Sequence, residues 1–136
     1  MGTVAFVFPG QGAQIPGMGK SVYDNSPAAK AVFDAADAVR PGTSVQCFEG
    51  TPEELQITAN TQCCIYVTEP ALAAALKEAD IKADVCAGFS LGELSALAFA
   101  GAMDTDTGLR LVMERGTLMK QDAEKSDTFM AADIRL

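Results

Sequence analysis

The sequence predicts part of an α/β domain built on a parallel sheet, and three observations carry that expectation. Two short apolar runs, Thr3 to Phe8 and Ala83 to Ala87, read as buried strands separated by helical patterns, the alternation that gives parallel pairing. The second run feeds Gly88-Phe89-Ser90-Leu91-Gly92, a glycine-flanked serine on a sharp strand-to-helix turn. Only two strand patterns precede residue 125, whereas a typical sheet holds about 4–6 strands. The chain therefore reads as a portion of such a domain.

The first strand breaks at Pro9, which has no N–H for a sheet ladder, and opens into a glycine-rich loop from Gly10 to Gly19. Pro27 to Arg40 reads as a helix, with proline in its first turn and Pro41-Gly42 at its end. Thr51-Pro52-Glu53-Glu54-Leu55 is a short helical start whose acids suit the first turn. Asn60 or Thr61 caps a further helix running towards Ala79. Pro70 inside it predicts a kink or break near residue 69, because proline removes a donor and crowds the preceding turn. After the second strand, Leu91 to Ala100 forms the serine helix, with Gly101 as its C-cap. The last helix spans roughly Asp104 to Ala123, and Thr128 to Leu136 reads as extended.

Composition narrows the function classes. With 136 residues, 49 % of them hydrophobic, the chain suffices for one domain and one core. A formal charge of −8 argues against nucleic-acid binding, which needs clustered Lys and Arg, but not against a small anion held by one arginine. Cys47, Cys63, Cys64 and Cys86 show no CxxC or Cys/His spacing and read as reduced, buried thiols of a cytosolic protein. No apolar stretch is long enough to span a bilayer, and the N-terminus lacks the charged region of a signal peptide.

The chemistry concentrates in two places. At the elbow, glycines two before and two after Ser90 relieve the crowding of the turn, so its hydroxyl projects from the bend. The Leu91 amide then points from a helix N-terminus toward an oxyanion formed on an attacked carbonyl. That is the geometry of a nucleophilic serine, yet the chain contains no histidine to serve as its base. The loop Gly10-x-Gly12 is weak as a dinucleotide turn, since Ile15 stands where a third glycine would fall and no Walker lysine follows. It suits either a mobile loop or one that brings backbone amides to a reacting carbonyl.

Arg115 is the second place. On a helical wheel of about 100° per residue it falls about 130° from the polar side formed by Arg110, Glu114, Thr117 and Gln121, flanked by Leu111 and Met119. A guanidinium cannot shed its charge, so a buried one needs an anion. A structural salt bridge, or a stem along the core with its head in water, are the other readings. Cys63 and Cys64 read as helix packing, Glu93 as a first-turn partner of the dipole, Met113 and Met119 as core fillers, and Phe89 as packing beneath the serine.

Taken in order, Phe6-Val7-Phe8-Pro9-Gly10-Gln11-Gly12-Ala13-Gln14 with Gly17-Met18-Gly19, then Thr61-Gln62, then Gly88-Phe89-Ser90-Leu91-Gly92-Glu93, then Arg115-Gly116, resemble the malonyl-CoA:acyl-carrier-protein transacylases. These form an acyltransferase family that loads malonyl units for fatty-acid synthesis, and the match covers the family's N-terminal part. The resemblance implies that Ser90 carries the malonyl ester, that the Gln11 and Leu91 amides form the oxyanion hole, that Arg115 grips the free malonyl carboxylate, and that Gln62 lines the pocket. It implies malonyl-CoA as a substrate, acyl carrier protein as partner, a cytoplasmic setting and no metal or redox cofactor. It also implies a large α/β-hydrolase-like part, here residues 1–125, and a small ferredoxin-like part begun by residues 126–136, with Phe129 to Ile134 as its first strand.

Two departures stand out. Phe89 occupies the place where the family commonly has histidine before the serine, and the family's catalytic histidine lies well beyond residue 136. Three alternatives stay open: a non-catalytic half-domain that binds a partner chain or carrier protein, an acyltransferase for another acyl group, and a GxSxG serine hydrolase. Strands lacking from the sheet predict exposed apolar surface, and with it self-association or pairing with a complementary chain.

Overall fold

Alternation along Ala5–Phe8 turns Phe6 and Phe8 inward and leaves Ala5 and Val7 outward, which makes this segment a strand, β1. The computed structural model describes residues 2–125. In chain order the other elements are α1 (Lys20–Asn25), α2 (Pro27–Val39), α3 (Thr43–Glu49), α4 (Pro52–Gln56), α5 (Thr58–Glu78), β2 (Val85–Gly88), α6 (Gly92–Phe99) and α7 (Thr105–Lys125). β1 and β2 pair in parallel, Ala5 opposite Val85 through Phe8 opposite Gly88, so the described residues form an α/β fold with a two-stranded sheet. The expected extended segment after Thr128, and the small part it would begin, lie outside the described residues.

α5 is the axis of the molecule. Residues 61–69 are buried without a gap, and α5 packs against α1, α2, α3, α4, α6 and α7. Of the expected kink or break, the break is corrected: α5 runs as one helix through Pro70. Proline leaves the Tyr66 carbonyl without its usual donor, but the buried run ahead of it, packed against the neighbouring helices, holds a helix that propensity alone would break. The expected caps are also displaced. Asn60 and Thr61 lie inside the first turn; the Asn60 side chain accepts from Arg40 at 2.9 Å and donates to the Glu54 carbonyl at 3.1 Å, while the Thr61 hydroxyl donates to the Leu55 carbonyl. Both side chains knit α4 to α5 instead of closing a helix end.

Other ends follow the sequence closely. Ser26 caps α2 by accepting from the Ala29 amide, with Pro27 in the first turn. Thr51 and Glu54 form a reciprocal capping box on α4. Beyond α6, Gly101 takes φ 81°, and the amides of Gly101 and Ala102 return to the carbonyls of Ala98 and Leu97, the paired bonds of a Schellman end. α1 and α3 have no cap side chain and enter through glycines with φ of 79° and 82°, so no local sequence signal announces them. The free thiols of Cys47, Cys63 and Cys64 are buried, and burial pushes the Cys63 thiol up to about 11. All three are packing groups, and Cys63 stays an S–H.

One buried acid stands out. Glu69 on α5 is 6 % exposed, and no salt bridge of the described residues involves it. Desolvation raises its carboxyl from 4.5 to about 7, against the opposing hydrogen bond from Ser95. The folded chain thus holds a proton between those values that the unfolded chain releases, so stability is full below the unfolded value and falls as pH rises to about 7. The loss expected from this group is about 2–3 kcal/mol. Urea unfolding followed by circular dichroism at pH 5 and pH 8 should show it, and Glu69→Gln should flatten it; an unchanged pH dependence in that variant would refute the assignment.

Candidate functional site

The elbow places Ser90 between β2 and α6 at φ 53°, a left-handed conformation costly for a residue with a side chain. Its surroundings leave no room for alternatives. A Cβ on Gly88 would overlap the Gly92 carbonyl, and one on Gly92 would overlap the Phe8 carbonyl at the end of β1. Because the obstacles are backbone atoms, no rotamer change relieves them. Gly88→Ala is therefore expected to destabilise the fold by about 3 kcal/mol, the upper end of overpacking costs; chemical denaturation would measure it, and a loss below about 0.5 kcal/mol, the scale of a surface change, would refute the close packing.

The loop after β1 lies over this turn. A Cβ on Gly10 would stand 2.8 Å from the Phe89 carbonyl and 3.5 Å from the Ser90 Cβ, so Gln11 begins beside the serine. The turn bonds at the elbow use the amides of Gly92, Glu93 and Leu94, and those of the loop use Gly12 and Ala13; the amides of Gln11 and Leu91 take no part in them. Leu91 is fully buried against the core and anchors the start of α6.

Opposite the serine, Arg115 on α7 donates from Nη2 to Ser90 Oγ at 3.1 Å and from Nη1 to Gln62 Oε1 at 2.7 Å. Gln62 is fully buried on α5, and its Nε2 donates to Met119 Sδ at 3.1 Å, which fixes the amide and hence the guanidinium. Ser90, Gln62 and Arg115 thus meet at one place, with no carboxylate of the described residues in an ion pair with Arg115. The guanidinium keeps capacity for an anion.

Three readings need correction. Arg115 is half-buried, and its flank is open: Leu111 and Leu118 are exposed, while α7 packs through Gly108, Leu109, Val112 and Gly116. Small residues give the closest helix approach, so a wheel ranked by hydrophobicity misplaces the packing face. Phe89 does not pack beneath the serine but is 75 % exposed. Period two carries it onto the outward side with Val85 and Ala87. Met119 is an acceptor for Gln62 rather than filler alone; its place one turn beyond Arg115 was the available signal.

Among the described residues no His/Cys/Asp/Glu group could hold a metal ion, and no helix is long and apolar enough to cross a membrane. A groove of about 610 Å³ lies along β1 and α5, lined by Phe6, Phe8, Met18, Glu69 and Leu72, and does not include Ser90 or Arg115.

Fold and turn together define an α/β protein with a serine raised at a strand-to-helix junction, faced by an arginine from a neighbouring helix. The chain belongs to the acyl transferase domain family, whose profile matches residues 5–133. It is 43 % identical over 133 residues to a malonyl CoA-acyl carrier protein transacylase of Bacillus subtilis, covering 97 % of this chain and 42 % of that protein. The solved malonyl CoA-acyl carrier protein transacylase of Clostridium perfringens superposes with a TM-score of 0.83 at 36 % identity, over 88 % of this chain and 38 % of that one. A structure of a type II polyketide acyl-carrier protein in complex with its malonyl-transacylase matches at TM-score 0.82 and 34 % identity, over 88 % of this chain and 40 % of that one. The chain spans about two-fifths of the length of these relatives.

Proposed function

We propose that this chain forms part of an enzyme that moves a malonyl group from malonyl-CoA to the phosphopantetheine thiol of acyl carrier protein, in fatty-acid or polyketide synthesis. The observation that carries this reading is the Arg115 guanidinium on Ser90 Oγ. A cation built to receive an anion stands where an acyl group on the serine would lie. Ser90 attacks the thioester carbonyl, the Gln11 and Leu91 amides receive the oxyanion, and CoA leaves as its thiol. Arg115, oriented by Gln62, exchanges the serine oxygen for the free malonyl carboxylate. The carrier thiol then takes the acyl group in the second half of a ping-pong cycle. No metal or redox cofactor enters these steps, and malonyl-CoA is a substrate.

Names of the relatives support the substrate and the carrier partner. In this reading residues 1–125 belong to a larger α/β-hydrolase-like part, residues 126–136 begin a ferredoxin-like part, and the enzyme is cytoplasmic. The test is to treat a transfer-competent polypeptide carrying this sequence with malonyl-CoA and map the adduct by peptide mass spectrometry. A malonyl ester on Ser90 that clears when carrier protein is added is expected. Label on another residue, or loss of the ester to water at the same rate with and without carrier, would overturn it.

A further inference from the structure

Ser95 lies in α6, five residues after Ser90 on the helix that the elbow feeds, and is 1 % exposed. Its hydroxyl donates to Oε2 of Glu69, while Oε1 of Glu69 is buried without a hydrogen-bond partner among the described residues. The groove that Glu69 lines is otherwise uncharged, with Phe6, Phe8, Pro9, Ala13 and Met18 from β1 and the following loop among its walls. A carboxyl in such surroundings is unfavourable to keep unless the bond it makes matters. Gln62, which holds Arg115, lies two turns earlier on α5, on the same side as Glu69.

We propose that Glu69 is a positioning residue for the serine nucleophile: through Ser95 it fixes α6 against the helix that also carries Gln62, so that Ser90 and Arg115 share one rigid support. The inference rests on reading Ser90 as the nucleophile. Two physical points favour it. α6 has eight residues, too few to hold its own orientation without tertiary contacts. Ser90 sits in a left-handed conformation that persists only where its surroundings over-determine it. A displacement of about 1 Å at a reacting group can lower a rate about a hundredfold, so a buried tether one turn beyond the elbow has leverage on the chemistry.

The test compares Glu69→Gln, Glu69→Ala and Ser95→Ala in a transfer-competent polypeptide carrying this sequence. It reads kcat, KM for malonyl-CoA, and the pre-steady-state rate of malonyl ester formation at Ser90. Glu69→Ala and Ser95→Ala are expected to lower kcat and the ester-forming rate about 10–100-fold, with KM within about threefold of the parent. Glu69→Gln keeps an acceptor for the Ser95 hydroxyl and is expected to recover most of the rate. The double Ala variant should be no slower than the slower single. Should Glu69→Ala fail to fold, Ser95→Ala removes one oxygen and still decides. Unchanged ester formation in Ser95→Ala, or a Gln variant no better than Ala, would overturn the positioning role, as would rate losses that merely track the folded fraction. An adduct on a residue other than Ser90 would instead remove the nucleophile assignment itself.

Discussion

Arg115→Ala, in a transfer-competent polypeptide carrying this sequence, is expected to lower malonyl transfer about a hundredfold or more, since truncating one partner of a desolvated charge pair costs about 2–5 kcal/mol. Acetyl transfer, which presents no carboxylate, should fall only a few-fold. The difference arises because the guanidinium already rests on Ser90 Oγ and Gln62 Oε1, held by an amide whose other end is fixed on Met119. Little ordering remains when the carboxylate arrives, so most of the interaction energy is available for selection. Arg115→Lys keeps the charge but loses the planar fork, and should fall between the parent and the Ala variant. Competition between malonyl-CoA and acetyl-CoA, scored by the masses of the carrier products, gives the ratio directly. Equal losses for both acyl groups would show that Arg115 supports the fold or the serine and does not choose the substrate.

Much of this site was legible because its signals are local. The elbow needs glycines two residues either side of Ser90, and the structure shows why, with backbone carbonyls where side chains would stand. Period two in β1, proline at the head of α2, the Thr51–Glu54 box and Gly101 beyond α6 are likewise set by neighbours in sequence. What failed was set by distant residues. Pro70 predicts a break only if the helix stands alone, and α5 packs against six others. Gly108 and Gly116 turn α7 toward α5 because a Cβ on either would crowd Tyr66 or Ala59, a reason invisible to hydrophobicity. Glu69 and Ser95 meet across 26 residues, and no spacing rule links them. Ordered motifs gave the family where periodicity alone gave half of a sheet.

The 136-residue chain by itself is expected to be a poor transacylase, several orders of magnitude below a complete enzyme, because it has no histidine and no side chain of the described residues is bonded to Ser90 as a base. Arg115 touches the hydroxyl oxygen, but a guanidinium stays protonated and can only donate. Glu93 is exposed in the first turn of α6, and Glu69 accepts from Ser95 and makes no hydrogen bond to Ser90. Oxyanion donors and an acyl clamp without a base leave a hydroxyl at its ordinary, weak nucleophilicity. The same chain leaves Val7 74 % exposed in the sheet beside Val85 and Phe89, an apolar face that favours association in solution. Purified chain, checked by mass and freed of partners by gel filtration, would be mixed with malonyl-CoA and carrier protein. The expected result is a trace of product with a rate little changed by Ser90→Ala. Turnover at an ordinary enzymatic rate that Ser90→Ala abolishes would mean that a group within these residues acts as the base, and the acids nearest the elbow would be the first to substitute.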